Sequence, residues 1–278
     1  MPDTAGRLVI LSGPSCVGKS PLRQALARWY PEEWRRLRLL VLFNSRVPRP
    51  GEREGIDYHF SSRREVEELA SDARYAVIDV RGDLQALDLV ELQADLARGN
   101  VFFEGNPYVA RVLHNHPALA GVARLSIFLS PLSQDEIASR HRAGEDIPLQ
   151  AFVTDLMRGK LLRRARRQKG ELSPADLQDI ETRASRAYRE LTDAWRFDHV
   201  IPNHDGEDSD HWDAPSGPIG DARTSLEAVV ALLGGVVPPN AERWKPDLVP
   251  PLPVHQPISP SADQPISPSA QSTDRRTN

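Results

Sequence analysis

Lysine is almost missing from this chain of 278 residues: of 35 basic residues only Lys19, Lys160, Lys169 and Lys245 are lysine, and the rest are arginine. Coding bias accounts for the imbalance, and it makes the setting of each lysine worth reading. Cysteine is scarcer still. Cys16 stands alone, so no internal disulfide can form, which fits a reducing compartment. Aromatic residues make up 6% of the chain, and no apolar run approaches the roughly 18 residues that a membrane span requires. The start, MPDTAGRLVILSG, has no basic region ahead of a long apolar segment, so a secretory signal is not expected and a cytoplasmic location is. Excess positive charge is absent too. A formal net charge of −4 creates no field that would draw nucleic acid, so neither nucleic acid nor membrane is an expected partner.

What is present suffices for one large globular domain, with 40% hydrophobic and 27% charged residues. Ten of the 24 prolines fall after Gly235, in a stretch that contains QPISPSA at Gln256–Ala262 and again at Gln264–Ala270. Pro- and Ser-rich sequence with little apolar content cannot offset the entropy of ordering, so 236–278 is expected to be a disordered tail with polyproline II stretches. A proline-recognising domain is the partner such a tail would suit. It carries four acids and four Lys/Arg, which leaves the whole −4 on residues 1–235.

Within 1–235, continuous apolar runs at Leu8–Ser12, Leu39–Phe43, Val101–Phe103, Leu125–Leu129 and His199–Ile201 read as strands covered on both faces. Helical patterns fit Pro21–Trp29, Arg63–Ala70, Leu84–Ala97, Gln134–Arg142, Val153–Lys169, Ser173–Trp195 and Ala222–Leu233. Strands separated by helices imply right-handed crossovers. The fold class is therefore α/β, with a mainly parallel five-stranded sheet flanked by helices and ligands at the carboxyl ends of its strands.

The first strand runs straight into Gly13-Pro14-Ser15-Cys16-Val17-Gly18-Lys19-Ser20 and then into a helix, which is the context a phosphate loop (P-loop) requires. Its glycines let successive amides curl inward, and the helix amino terminus adds positive potential. Lys19 would bridge the β- and γ-phosphates of ATP, and the Ser20 hydroxyl would ligate Mg²⁺. Pro21 has no N–H to offer a phosphate. Glu104, at the end of the apolar VFFE run, has the pattern of the second metal-organising acid.

After the second strand comes Ser45-Arg46-Val-Pro48-Arg49-Pro50-Gly51-Glu52-Arg-Glu-Gly55-Ile-Asp57-Tyr58-His-Phe60. Paired guanidinia suit a phosphate dianion by forked hydrogen bonding. This stretch resembles the T-R-x-P-R-x-G-E-x-x-G-x-D-Y-x-F signature of guanylate kinases, and it lies about twenty-five residues beyond the phosphate loop, as in that family. The resemblance spans roughly 7–235 and concentrates in 8–60. It implies a P-loop nucleoside monophosphate kinase with an acceptor-binding part at about 44–92 and a lid at about 139–172. Arg46, Arg49 and Tyr58 would hold the acceptor phosphate, and Glu52 would lie beside the guanosine site. Asn203, in the V-I-x-N of the last strand, would belong to the ATP site. Ile180-x-x-Arg183 and Ala187-x-x-Glu190 match the helix after the lid, with Arg183 as the closing arginine and Arg163, Arg164, Arg166 and Arg167 as an unranked pool.

The departures fall on the base. The family's guanine-reading glutamate corresponds to Ala76, its second tyrosine to Gln85, its threonine to Leu87, its later acid to Asn106 and an earlier serine to Leu42. Loss of polar partners from a site built to hydrogen-bond a base removes orders of magnitude of discrimination. About twenty additional residues lie between Ser139 and Arg158, and His204–Asp213 packs five acids and two histidines into ten positions. That segment reads as a solvated acidic loop, with a hard-cation site as the alternative. His114 and His116 read as surface residues. The expected activity is transfer of the ATP γ-phosphoryl to a nucleoside monophosphate, GMP by resemblance. The alternatives are a kinase for another phosphorylated acceptor and a non-catalytic binding module.

Overall fold

Leu8–Ser12 forms β1, and every one of its side chains is buried, as a five-residue apolar run with helices on both sheet faces demands. Alternation splits it: Leu8 and Ile10 join one core, Val9 and Leu11 the other. The computed structural model describes residues 6–49, 51–143 and 147–252. Helix α1 (Lys19–Trp29) begins at the phosphate loop and is followed by α2 (Pro31–Trp34) and β2 (Leu37–Leu39). The acceptor region then supplies β3 (Phe43–Asn44), β4 (His59–Phe60), α3 (Arg63–Leu69), β5 (Tyr75–Val80) and β6 (Asp83–Asp88). Asp88 caps α4 (Leu89–Arg98) by accepting from the amides of Val90 and Glu91, and Asn106 caps α5 (Pro107–Asn115) after β7 (Asn100–Gly105). The remaining elements are β8 (Arg124–Ser130), α6 (Gln134–Ala143), α7 (Leu149–Lys169), α8 (Pro174–Leu191), β9 (His199–Pro202) and α9 (Gly220–Leu233).

The main sheet is five-stranded in the order β2-β7-β1-β8-β9 with every pairing parallel, as expected from the sequence. A second, four-stranded sheet, β4-β3-β6-β5, carries the acceptor region. Three expectations need correction. The run Leu39–Phe43 is not one strand: it splits between β2 in the main sheet and β3 in the second. The helix expected over Leu84–Ala97 starts at Leu89, because YAVIDV and DLQALD pair antiparallel around an Arg81-Gly82 turn in which both residues have positive φ, 62° and 97°. Helix α5 was not foreseen from the sequence at all.

The third correction concerns the tail. Order continues past 235: Val200 and Glu242 exchange backbone hydrogen bonds of 2.8 Å, and Trp244 and Val249 are each only 4% exposed in the core beneath the main sheet. The Tyr188 hydroxyl donates to the Pro250 carbonyl at 2.7 Å, and Arg243 Nη1 donates to the Phe197 carbonyl at 2.8 Å. One tryptophan and one valine thus give 236–252 enough apolar burial to order it despite its prolines. The expectation for 253–278, including both QPISPSA copies, lies outside the described residues.

Candidate active site

The phosphate loop leaves β1 through Gly13, whose φ of 145° and whose Cβ position, 2.4 Å from the Leu129 carbonyl, admit only glycine. Gly18 is equally constrained, since a Cβ there would lie 2.4 Å from Asn203 Nδ2. Lys19 is buried, and its Nζ donates to the carbonyls of Gly13 (2.9 Å) and Pro14 (2.7 Å). Burial lowers its pKa, opposed by Glu207 and Glu104. Cys16 adopts positive φ, and burial pushes its thiol up to about 12, so it is inert as a nucleophile. Pro21 sits in the first turn of α1, where its missing donor leaves the helix intact.

The Ser20 hydroxyl donates to Glu104 Oε1 at 2.7 Å, and Arg23 Nε lies 2.7 Å from the other carboxylate oxygen. Hydroxyl and carboxylate are hard oxygen donors, one in the first turn of α1 and the other near the carboxyl end of β7, so this pair suits Mg²⁺. A cavity of about 800 Å³ runs from the loop to the acceptor region and is lined by Ser15, Cys16, Lys19, Ser20 and Glu104 at one end and by Arg46, Arg49, Glu52 and Tyr58 at the other. Arg183 of α8 also lines it, tied to Asp179 at 2.6 Å. Pro14, Val17 and Gly18 build the loop behind this lining. Asn203 likewise does not face the cavity: its Nδ2 donates to the carbonyls of Val17 and Asp205, both at 2.8 Å, which makes it a brace for the loop.

Glu52 organises the two acceptor-region arginines. Its carboxylate accepts from Arg46 at 2.6 and 2.5 Å and from the Arg49 amide at 2.7 Å. Arg46 also stacks over the Tyr58 ring at 5.2 Å, and burial raises the Tyr58 phenol. Arg49 differs from its neighbours. Burial, together with the charges of Arg183 and Arg46, pulls its pKa down to about 10. Among the described residues every cation lining the cavity has a carboxylate partner except two, Lys19 and Arg49.

At the base-reading positions, Leu87 is fully buried and Ala76 packs against the same core. Asn106 spends its carboxamide on the Val109 amide (3.0 Å) and on Gln85 Oε1 (3.3 Å). His114 is not a surface residue: it is half-buried with its ring 5.2 Å from Phe197. The acidic segment is not a free solvated loop either. Arg164 pairs with Glu207, Arg163 with Asp208 at 2.8 Å and Arg167 with Asp210 at 3.0 Å, so it docks on α7. No group of three or more His, Cys, Asp or Glu suited to a metal occurs among the described residues. Sequence reasoning missed Arg81, which lines the cavity and pairs with the buried Glu190; its only signal was a bulky residue beside a glycine turn.

A parallel sheet, a P-loop with its lysine and serine, and a second arginine cluster across one cavity define a P-loop phosphotransferase. Comparison with known proteins makes this specific. The sequence profile of the guanylate kinase family matches residues 5–78. The chain is 32% identical to a guanylate kinase of Synechococcus sp. (strain JA-3-3Ab) over 73% of its own length and 77% of that protein. It is 31% identical to a guanylate kinase of Corynebacterium diphtheriae over 74% of its length and 91% of that protein. In three dimensions it resembles the crystal structure of guanylate kinase from Anaplasma phagocytophilum, with a TM-score of 0.50 and 17% identity over 84% of this chain and 88% of the other. The chain belongs to the guanylate kinase family and is an ATP-dependent nucleoside monophosphate kinase. No described helix is long and apolar enough to cross a membrane.

Proposed function

We propose that the chain transfers the γ-phosphoryl of Mg·ATP to the phosphate of a nucleoside monophosphate, with Lys19 at the donor phosphates and Arg49 at the acceptor phosphate. One observation carries this reading: these two are the cavity's only cations without a carboxylate partner among the described residues. Lys19 is buried, where a cation is costly unless an anion meets it, and Arg49, exposed at the cavity edge, is crowded by the like charges of Arg183 and Arg46, so the two unpaired cations mark two anion positions. Ser20 and Glu104 would hold Mg²⁺, which would neutralise charge on the donor phosphates. Arg46 and Tyr58 would share the acceptor phosphate, with Glu52 orienting Arg46, and Arg183 would close from α8. The loop residues Gly13 to Gly18 shape the donor site, and Asn203 fixes them. No general base is needed, because a phosphate monoester is already nucleophilic and catalysis is mainly positioning and charge stabilisation.

The domain unit of this reading is 1–252 rather than 1–235, with acceptor part 44–92 and lid 139–172. GMP is the acceptor that the relatives' names point to. A second reading, another phosphorylated acceptor, is favoured by Leu87 and Ala76, which are packed into the core where a base-reading site needs polar groups. The acceptor-phosphate assignment is tested by steady-state kinetics of Arg49→Ala. Loss of a charge-assisted contact worth about 2–3 kcal/mol should raise the acceptor KM by roughly 30- to 150-fold with the ATP KM unchanged. An unchanged acceptor KM would refute it.

A further inference from the structure

The acidic segment after β9 does not belong to either nucleotide site as assigned above, yet it is built onto both the phosphate loop and the lid helix. Its backbone is pinned to the loop: the Glu207 amide donates to the Cys16 carbonyl at 3.4 Å, and a Cβ on Gly206 would lie 2.3 Å from that same oxygen. Asn203 and Trp212 hold the turn from behind, through the Val17, Asp205 and Gly206 carbonyls. From this mount the Glu207 carboxylate enters the cavity and accepts a hydrogen bond from Arg164 Nη1 of α7.

Arg164 stands apart from the other arginines of the lid helix. Arg163 and Arg167, with side chains 61% and 45% exposed, pair with Asp208 and Asp210 outside the cavity. Arg164 alone of Arg163, Arg164, Arg166 and Arg167 lines the cavity, and its side chain is 19% exposed. Its Nε–H is buried and has no hydrogen-bond partner. An orphaned donor on a buried guanidinium is costly, and an acceptor supplied by a ligand resolves it. Arg164 shares the cavity lining with the phosphate-loop residues Cys16 and Lys19: its charge acts on the Cys16 thiol, and its partner Glu207 acts on Lys19.

We propose that Glu207 is a positioning residue for phosphoryl transfer: mounted on the phosphate loop, it holds Arg164 of the lid helix with a free Nε–H beside the donor phosphates. The inference rests on the kinase reading given above. An arginine side chain has rotamer entropy to lose on binding, and a fixed carboxylate removes much of that cost before substrate arrives. Glu207 can serve this way because it stays ionised. Burial would raise its pKa, but Arg164 and Lys19 outweigh burial and hold it below the usual carboxylate range. The guanidinium keeps donors to spare, since only Nη1 is committed to Glu207.

The test uses the full chain with ATP and Mg²⁺ and compares Arg164→Ala, Glu207→Gln, Glu207→Asp and the double variant Arg164→Ala/Glu207→Gln. Arg164→Ala should lower kcat by about 100-fold, the size of effect for removing one donor to transition-state charge, with the acceptor KM unchanged. Glu207→Gln should lower kcat about tenfold, Glu207→Asp should recover part of that loss, and the double variant should be no slower than Arg164→Ala. Melting curves taken beside the kinetics identify any variant that fails to fold, and Glu207→Asp keeps the question open to measurement in that case. Unchanged kcat in folded Glu207→Gln and Glu207→Asp, or a double-variant loss equal to the product of the single losses, would overturn the inference and leave the kinase reading standing. A wild-type chain that transfers phosphate to no monophosphate would remove both.

Discussion

At the scale of the residue, the chemistry of the cavity depends on which charges are paired and which are not. Lys19 leans on two carbonyls, and Arg49 faces two other arginines, so both wait for an anion. Lys19→Ala should reduce transfer by at least about 1,000-fold while leaving the melting temperature close to that of wild type, because removing a buried cation that has no carboxylate partner relieves a desolvation cost that offsets the lost contacts to two carbonyls. A coupled ADP assay and a melting curve check this together. Retention of a tenth of the activity would contradict the role given to Lys19. The P-loop residues, Glu104 and the arginine signature were legible in the sequence because chemistry fixes their types and spacing. The pairing pattern was not: that Arg49 alone of its cluster lacks a carboxylate, or that Asn203 braces the loop from outside the cavity lining, depends on distances between segments far apart in the chain.

At the scale of the element, the parallel sheet was readable from apolar runs, since a strand covered on both faces has no alternative pattern. Strand β6 reads as the start of a helix because DLQALDLVELQ fits both periods until Asp88 caps α4. The ordered segment 236–252 was misread because composition averages over a window, and a single buried Trp244 does not move the average. Trp244→Ala should therefore destabilise the protein by about 3 kcal/mol, a fall in Tm of roughly 6–12 °C for a domain of this size. A Tm shift under a degree by calorimetry would mean the segment does not contribute to the core.

His204 links three elements. Its Nδ1 lies 2.5 Å from Asp221 at the start of α9, and its Nε2 lies 3.0 Å from Glu136 in α6. Burial works to lower its pKa, but the two carboxylates outweigh burial and raise it above 6.5. A raised folded value means the charged form is favoured in the folded state, so its stabilisation is complete below the unfolded value and fades as pH rises through the folded one. The Tm difference between wild type and His204→Gln should be greatest near about pH 5.5 and vanish near about pH 9. A difference that does not vary with pH would show that the ion pairs contribute nothing.

At the scale of the whole molecule, an acidic chain of net charge −4 surrounds a cavity where arginines converge. Among the described residues every acid lining that cavity except Asp83 pairs with a cation, which leaves Lys19 and Arg49 as the cavity's unpaired positive charges. The scarcity of lysine takes on meaning only here, since Lys19 occupies a tight loop where a compact ammonium fits and arginine's planar fork does not. The most direct measurement of the central claim is ADP formation by the purified full chain with ATP, Mg²⁺ and a panel of nucleoside monophosphates that includes GMP, with Lys19→Ala alongside. The wild type should release ADP only when an acceptor is present, and Lys19→Ala should release none. Measurable ATP binding with no ADP from any monophosphate would contradict it.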